Sequence, residues 1–448
     1  MPRFFFHRLL RARSGFPGGD YLALLLLAAV VGVCGAMAAL VFRSAFIGIQ
    51  HAFGPDVTGM VALARSLQWW QRLLMPACGG ALAGACLKFG LDWVPRRGAD
   101  DYLEAITMGD GVIGMRQSLI KSVSSLCSIG SGASIGREGS MVQLSAMIGS
   151  AIGQLLRMRS ERLRLLVACG ATAGITSAYN APIAGCIFII ELSTRELGKE
   201  MLGPLIVASV IANMITRLVF GFQPVYRMPD FPPIAGWEVF AFAGLGIVCG
   251  FAGPLFRRTL DISRVGFSRL KAGLIVNMTL GGLGVGLISV WEPNVWGNGY
   301  SVVNSILHSS WGWQALLAIL LLKVLATALC SGSGAVGGVF TPTLFVGAAL
   351  GALYGHWMTG LAPLADTGIP GYAMVGMGAL LASVTYAPLM CILMIFEMTL
   401  SYEIILPLML ACVIAHAIAH IIRPLSIYAQ RSEKGRSHLL RQEVAGRQ

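Results

Sequence analysis

Runs of apolar residues long enough to cross the hydrocarbon core of a bilayer recur along most of this chain. Such a core is about 30 Å thick, so a spanning α-helix needs about 20 apolar residues. The runs lie at about 21–42, 73–92, 163–190, 201–220, 237–256, 274–291, 313–330, 341–360, 373–397 and 404–422. Because a lipid-exposed backbone must satisfy its own hydrogen bonds, this pattern predicts an all-α polytopic membrane protein.

Charge is sparse and is concentrated near the two ends of the chain. Apolar residues make up 56% of the sequence and charged residues 12%, which is outside the range of soluble globular proteins. The net charge of +12 does not indicate a nucleic-acid partner, because the basic residues sit at the termini and at helix ends. By the positive-inside rule we expect both termini in the cytoplasm, an even number of crossings and a location in a bacterial-type inner membrane. A cleaved signal peptide within 1–40 is the alternative for the first run.

Cysteine and histidine residues show no metal-binding pattern. All ten cysteines lie within apolar segments and are interpreted as small buried apolar residues. His416 and His420 are four residues apart on one predicted helical face, but no third ligand lies near them in the sequence. Packed or interfacial histidines are therefore favoured over a metal site, and the sequence indicates neither a metal nor a cofactor.

Short motifs of the first half return in the same order in the second half. The matched pairs are Gly79-Gly80 with Gly281-Gly282, Gly130-Ser131-Gly132-Ala133 with Gly332-Ser333-Gly334-Ala335, Tyr179-Asn180-Ala181-Pro182 with Tyr386-Ala387-Pro388, Pro204-Leu205 with Pro407-Leu408, and Val33-Cys34-Gly35 with Val248-Cys249-Gly250. One such match is expected by chance in a glycine-rich chain, but five in one order at separations of 202 to 215 residues indicate an internal duplication.

The duplication divides the chain into five parts. We predict a cytoplasmic N-terminal segment at 1–20, a first membrane repeat at 21–220, a proline-rich linker at 221–236, a second membrane repeat at 237–428 and a short cytoplasmic tail at 429–448. Internal repeats in a membrane protein are typical of transporters, whose binding site lies at the repeat interface near the middle of the bilayer. The residues alone leave open whether the two repeats are inverted.

Two equivalent glycine-rich loops each precede a predicted helix, at 130–140 and at 332–342. A helix start presents unpaired N–H groups and the positive end of the helix dipole, which suits an anion. Glycine lets the bare amides approach the ion. Two such loops predict a concave anion site without a fixed positive charge, which binds weakly enough for the ion to leave again.

Glu138 lies at the first of these helix starts, and Phe340 is its counterpart 202 residues later. A carboxylate in this place competes with the permeant ion, so we predict that Glu138 is a gate. The alternative is an interfacial pair with Arg137 that only anchors the helix. Charged residues inside a membrane are costly and by default functional, which favours the gate. Arg137 is expected to support the loop or to add positive potential rather than to bind the ion directly.

Three short motifs resemble the pore signatures of the CLC chloride channels and transporters. They are GREG at 136–139, GxFxP at 338–342 and the terminal Ser426-Ile427-Tyr428. The resemblance covers nearly the whole membrane region and is closest to the short bacterial ClcB-like branch, which is described as a channel. It implies a homodimer in lipid, with one pore per subunit and two homologous, inverted repeats of broken and tilted helices.

The resemblance also implies individual roles. Glu138 is the gating glutamate, and Tyr428 offers its hydroxyl to the ion, although an aromatic anchor at the membrane interface is the alternative for Tyr428. The anion is expected to be lined by the amides of Gly136, Arg137, Gly139, Val339 and Phe340. Glu104 and Lys121 resemble a family pair that buries a carboxylate against an ammonium group.

Two positions depart from the family pattern. The signature that supplies a serine hydroxyl to the anion corresponds here to 98–104, which contains no serine. The proton-carrying glutamate of the exchangers corresponds to Leu192, which cannot titrate. Its neighbour Glu191 and the equivalent Glu397 are expected to cap or to pair at the dimer interface, with a proton path through Glu191 as the alternative.

These observations predict a chloride-selective passive channel, gated by voltage or pH, rather than an enzyme. The alternatives are a proton-coupled chloride antiporter and a fluoride or nitrate specialist. A distant alternative is an intramembrane serine hydrolase, because 132–136 satisfies GxSxG around Ser134. That motif requires a preceding strand, and the second copy has Val336 in place of the serine.

Overall fold

The computed structural model describes residues 19–52, 59–95, 98–192, 201–221, 225–226, 238–361 and 368–424. The secondary structure within these ranges is helical, apart from two isolated β-bridges. The all-α prediction is confirmed. Most of the predicted linker, the last residues of the predicted second repeat with Tyr428, and the whole C-terminal tail lie outside the described residues.

Seventeen α-helices are described, nine from the first half of the chain and eight from the second. The first half contains α1 (Gly19–Ala52), α2 (Met60–Ser66), α3 (Trp69–Asp92), α4 (Tyr102–Thr107), α5 (Met115–Gly130), α6 (Glu138–Leu155), α7 (Ser160–Tyr179), α8 (Pro182–Leu192) and α9 (Leu202–Phe220). The second half contains α10 (Glu238–Arg269), α11 (Gly273–Trp291), α12 (Tyr300–His308), α13 (Trp313–Ser333), α14 (Phe340–Leu361), α15 (Gly368–Thr385), α16 (Pro388–Thr399) and α17 (Ile405–Ile422). A short 3₁₀ turn, Pro293–Val295, lies between α11 and α12.

Eight of the described helices are long and apolar enough to cross a membrane, so the chain is a multi-pass membrane protein. They are α1, α3, α9, α10, α11, α13, α15 and α17. Their outer faces carry exposed apolar side chains, among them Leu218 at 85% and Phe240 at 80% exposure. Such faces are stable against lipid rather than water.

Two of the predicted apolar runs are each divided into two helices. The run at 163–190 breaks between α7 and α8, where Asn180 has a left-handed φ of 56°. The run at 373–397 breaks between α15 and α16, where Tyr386 has a φ of 61°. Pro182 and Pro388 then begin the second helix of each pair, where a missing N–H costs nothing. The broken helices that the sequence predicts therefore occur at equivalent places in the two repeats.

The longest helices exceed the thickness of the hydrocarbon core. Helix α1 has 34 residues and α10 has 32. At 1.5 Å per residue these helices are about 50 Å long, so they tilt or project beyond a core of about 30 Å.

The repeats pack against each other through matched glycines of α3 and α11. A Cβ atom on Gly80 would lie 2.3 Å from the carbonyl oxygen of Met278, and one on Gly282 would lie 2.1 Å from that of Pro76. The two contacts are equivalent, since Gly282 lies 202 positions after Gly80 and Met278 lies 202 positions after Pro76. Because neither glycine has room for a side chain, the two backbones approach as closely as membrane helices can.

Candidate anion site

The two glycine-rich loops meet at Gly136 and Gly338. The Gly136 amide donates to the Gly338 carbonyl oxygen at 2.8 Å, and the Gly338 amide donates to the Gly136 carbonyl oxygen at 2.9 Å. These two residues are equivalent in the two repeats. The loops are therefore joined edge to edge at the repeat interface, where the internal duplication predicts a binding site.

A helix begins directly after each loop. The α6 ladder begins with the bond from the Met141 amide to the Arg137 carbonyl, and the α14 ladder begins with that from the Thr343 amide to the Val339 carbonyl. The amides of the first residues of α6 and α14 precede these ladders, as in any helix start. A Cβ atom on Gly139 would lie 3.2 Å from the Gly338 nitrogen, so the two helix starts touch. Two positive helix ends thus converge on one place.

A cavity of about 290 Å³ reaches this place and is lined by both helix starts. It extends to Asp100, Asp101 and Lys121, where the Asp100 side chain is 70% exposed. Glu138 also lines the cavity and is 3% exposed. The cavity therefore opens beside Asp100 and runs inward to the Glu138 carboxylate.

The Glu138 side chain is folded over its own loop. Its Oε1 accepts a hydrogen bond from Asn298 Nδ2 at 3.3 Å. Its Oε2 has no hydrogen-bond partner within the described ranges and would lie 2.4 Å from a Cβ atom on Gly136. A negative group thus occupies a position whose helix dipoles favour an anion.

Only some of the residues that were expected to line the anion site lie in the wall of the cavity. Gly139, Val339 and Phe340 line the cavity together with Glu138. Gly136 instead pairs with Gly338, and the Arg137 guanidinium lies over the Phe46 ring, 5.1 Å from its centroid. Tyr428 lies outside the described residues.

Phe340 forms an aromatic wall of the cavity. It is 9% exposed, and its ring centroid lies 5.0 Å from that of Tyr179 and 6.4 Å from that of Phe188. The Tyr179 hydroxyl is 3.4 Å from Thr341 Oγ1. The wall near Glu138 is therefore aromatic, with hydroxyl groups beside it.

A second arginine beside Arg137 was not predicted from the sequence. Arg43 lies over the Phe220 ring at 3.7 Å and is close enough to Arg137 and Tyr300 to interact with them electrostatically. The sequence signal was present, since Phe42-Arg43 recurs as Phe256-Arg257. Arg43 and Arg137 together add positive potential beside the loop that carries Glu138.

The segment at 98–104, which corresponds to the serine-bearing signature, is held by hydrogen bonds to side chains. Asp101 precedes α4 and accepts from the Leu103 amide at 3.5 Å, and the Tyr102 amide donates to Gln143 Oε1 at 2.9 Å. The first amides of α4 are thus satisfied by side chains rather than left for an ion. Asp101 lines the cavity beside them.

Lys121 is close enough to Glu104 to interact with it electrostatically, but the direct ion pair of Lys121 is with a different residue than predicted. Lys121 forms its ion pair with Asp100, whose Oδ1 is 3.4 Å away, and it also donates to the Asp100 carbonyl at 2.8 Å. Glu104 accepts from the Asp100 amide at 3.2 Å. Both charged side chains therefore hold the backbone of Asp100, because the loop before α4 is folded between them.

A buried lysine holds the loop that carries Asn298 by hydrogen bonds to its backbone. Lys323 is fully buried and donates to the carbonyls of Val295 and Gly297 at 2.9 and 2.8 Å. It is the equivalent of Lys121, 202 residues later, so both lysines hold the loop before a short helix. Neither Asn298 nor this role of Lys323 was predicted, because no local pattern links them to Glu138.

Glu191 and Glu397 cap each other's helices. Glu191 accepts from the amides of Leu389 and Met390 at the start of α16, at 3.2 and 2.8 Å. Glu397 accepts from the equivalent amides of Ile183 and Ala184 at the start of α8, at 3.0 and 2.8 Å. The predicted cap is therefore present and reciprocal, but it links the two repeats of one chain rather than two subunits. Leu192 packs against the apolar core.

The hydrolase alternative does not fit the structure. Helix α5 precedes Ser134 where the motif requires a strand, and Ser134 Oγ lies 3.4 Å from Thr327 Oγ1. The His416 and His420 rings contact Tyr386, at 5.6 and 5.8 Å between centroids. In the part of the chain that the structure describes, no three His, Cys, Asp or Glu side chains form a metal-binding group.

The class of protein that this fold and site define is a polytopic membrane protein with two converging helix starts that suit a small anion. A family model described as "Voltage gated chloride channel" matches residues 79–420. A ClcB-like chloride channel protein of Ralstonia nicotianae is 53% identical over 93% of this chain and 98% of its own length. The voltage-gated ClC-type chloride channel ClcB of Citrobacter koseri is 40% identical over 91% of this chain and 98% of its own.

A solved structure supports the same assignment. A slow cyanobacterial Cl⁻/H⁺ antiporter superposes with a TM-score of 0.81 and 27% identity, over 92% of this chain and 97% of its own. The chain belongs to the CLC family of chloride channels and transporters, in its ClcB-like bacterial branch. It is a chloride transport protein and not an enzyme.

Proposed function

We propose that this protein is a passive, chloride-selective channel in which Glu138 is the gate, opened by protonation or by voltage. The observation that carries the proposal is the Glu138 carboxylate, which is 3% exposed and lies at the inner limit of the cavity. Because Glu138 and chloride are both negative, they compete for the same two helix starts. A proton on Glu138, or a voltage that drives the ion inward, shifts this competition in favour of chloride.

The proposed anion ligands are the amides at Arg137, Gly139, Val339 and Phe340, with the Tyr428 hydroxyl. The Gly136 amide, which the sequence also predicted as a ligand, donates to the Gly338 carbonyl instead. Support comes from Gly139, Val339 and Phe340, which line the cavity. Amide donors at the positive ends of two helices favour any small anion. A preference for chloride over fluoride or nitrate is therefore the part of the proposal that most needs direct measurement.

Two observations support passive conduction over proton coupling. Leu192 offers no titratable group, and both Glu191 oxygens accept backbone hydrogen bonds. The Citrobacter koseri relative is also named as a channel. A proton path through Glu191 is the less favoured proposal.

Proton-coupled chloride exchange is the second candidate, and one observation favours it. Asp100 and Asp101 line the same cavity as Glu138, so carboxylates lie at two places along one path. The cyanobacterial structural relative is described as a Cl⁻/H⁺ antiporter. Exchange requires that protons and chloride use such groups in turn.

We infer that the repeats at 21–220 and 237–428 are inverted relative to each other. Gly136 with Gly338, and Glu191 with Glu397, each make contacts that the equivalent residue returns. Such exchanged contacts are what a two-fold rotation between the repeats produces. In an inverted repeat that axis lies in the membrane plane.

We also propose a homodimer in the inner membrane, with both termini in the cytoplasm and one pore per subunit. The basic residues near both ends support this orientation. Both helix starts that line the cavity belong to the same chain, as one pore per subunit requires. Exposed apolar residues such as Leu406, at 74% exposure, suit contact with lipid or with a second copy.

The test is a measurement of reversal potential in proteoliposomes with opposed chloride and pH gradients. We expect a potential set by the chloride gradient alone, unchanged when a pH gradient is added. Protons driven uphill by chloride would instead establish exchange. Absence of chloride flux at every pH and voltage would contradict both candidates.

A further inference from the structure

Ser140 is a buried serine with an unused hydroxyl in the wall of the cavity. It is the third residue of α6, two positions after the gate, and is 4% exposed. It lines the cavity with Glu138 and Gly139. Its Oγ has no hydrogen-bond partner in the described part of the chain.

Most of the buried serine and threonine hydroxyls in the described ranges donate to a carbonyl oxygen. Ser145 Oγ donates to Gly35 at 2.7 Å, and Ser124 Oγ donates to Ala83 at 2.9 Å. In the described ranges, five buried serine or threonine hydroxyls are left without a partner, namely Ser125, Ser128, Ser140, Thr172 and Ser177. Of these five, Ser140 is the one that lines the cavity.

The second serine of the cavity wall provides a contrast. Ser122 also lines the cavity, but its Oγ donates to the Ser118 carbonyl at 2.8 Å. A cavity-facing position therefore does not by itself leave a hydroxyl unsatisfied. An unpaired buried hydroxyl costs free energy unless a ligand or water completes it.

The groups around Ser140 Oγ select a negative ligand. The first amides of α6 precede the helical ladder that begins at Met141, and the start of α14 faces them across Gly139. Amides and a hydroxyl are both hydrogen-bond donors toward an anion. We propose that Ser140 Oγ is a direct ligand of the transported anion and adjusts the preference between chloride and nitrate.

This proposal rests on the proposed function only in taking the cavity as the anion path. A hydroxyl donor interacts more strongly with the compact charge of a halide than with the spread charge of nitrate. Loss of the hydroxyl should therefore weaken chloride binding more than nitrate binding. The permeability ratio then moves toward nitrate, a change that a purely structural role of Ser140 would not produce.

The experiment compares purified full-length wild type with Ser140→Ala, Ser140→Thr and Ser125→Ala. Chloride affinity is measured by isothermal titration, and chloride-to-nitrate permeability by bi-ionic reversal potentials in liposomes. We expect Ser140→Ala to bind chloride about tenfold more weakly, the value for one charge-assisted hydrogen bond. Ser140→Thr should retain the wild-type affinity and ratio. Ser125→Ala, which removes a buried unpaired hydroxyl that does not line the cavity, should not change them. Ser140→Cys, which keeps the size but donates weakly, replaces the alanine variant if that variant does not fold.

Each outcome has a separate meaning. Wild-type affinity and ratio in Ser140→Ala, with wild-type binding intact, would overturn the role of Ser140 and leave the proposed function standing. An equal loss in Ser140→Thr and Ser140→Ala would assign the effect to packing and would also overturn it. A wild-type protein that neither binds nor conducts chloride would overturn this proposal and the proposed function together.

Discussion

Gly136 and Gly338, which are 202 residues apart, exchange both of their backbone hydrogen bonds. This pair joins the two loops whose helices begin beside the gate. The exchange also fixes how close the two helix starts come, because Gly139 lies against Gly338. The backbone that carries Glu138, the proposed gate, is therefore held in place by hydrogen bonds between the two repeats.

Gly136→Ala should displace the gate. The added Cβ atom would lie 2.4 Å from Glu138 Oε2, the far end of a flexible side chain, so the carboxylate moves away. We expect greater chloride flux at neutral pH and a weaker dependence on pH, measured as chloride efflux from proteoliposomes. Gly338→Ala is the matched control, since its Cβ atom meets nothing closer than 3.5 Å. Equal effects of the two variants would contradict this account.

Glu138→Gln should abolish gating by pH. An amide neither titrates nor carries the charge that competes with chloride, so the ratio of efflux at acidic and neutral pH should fall to about one. Stopped-flow chloride efflux over a pH series measures this ratio. If Glu138→Gln and Glu138→Ala both keep the wild-type pH dependence, Glu138 is not the gate.

Asn298→Ala should loosen the closed position of Glu138. The Asn298 amide donates to Glu138 Oε1 at 3.3 Å and so holds the side chain over its loop. Without this hydrogen bond the carboxylate leaves the anion site more often, and chloride efflux from proteoliposomes at neutral pH should rise about two- to tenfold. Asn277→Ala is the control, because Asn277 on α11 donates to the Phe267 carbonyl and does not line the cavity. An efflux that is unchanged or lower in Asn298→Ala would contradict this role of Asn298.

Glu191→Gln should lower stability and leave chloride flux intact. The amide side chain loses the charge and one acceptor for the Leu389 and Met390 amides, at a cost of about 1–3 kcal/mol. Glu397→Gln should lower the melting temperature in detergent by a similar amount, because its cap is equivalent. Loss of uphill proton movement in Glu191→Gln, with Glu397→Gln unaffected, would instead assign Glu191 to a proton path.

The helical membrane fold and the meeting of the two glycine-rich loops could be predicted from the sequence. These follow from properties that are local or periodic, such as apolar runs and recurring glycines. The breaks at Asn180 and Tyr386 were hidden in the hydropathy pattern, because a left-handed residue need not be polar. Pro182 and Pro388 were the available signal for them.

Contacts between distant residues could not be predicted in the same way. Asn298 lies in a loop 160 residues from Glu138, and nothing in its local sequence indicates the contact. The resemblance to a family pair assigned Lys121 to Glu104, whereas the loop before α4 places Asp100 in direct contact with Lys121. The sequence also cannot show that the Ser140 hydroxyl lacks a hydrogen-bond partner, because its possible partners are distant in the chain.

The reciprocal caps of Glu191 and Glu397 have a consequence for biogenesis. When α8 enters the membrane during synthesis, the carboxylate that completes its first turn has not yet been translated, since it lies 213 residues after Ala184. The amides of Ile183 and Ala184 therefore have no carboxylate acceptor until the second repeat has been synthesised. The first amides of α16, in contrast, can bond to Glu191 as soon as α16 forms. Neither repeat is complete as a separate unit, so a chain truncated before Glu397 should be recognised as unfinished and degraded.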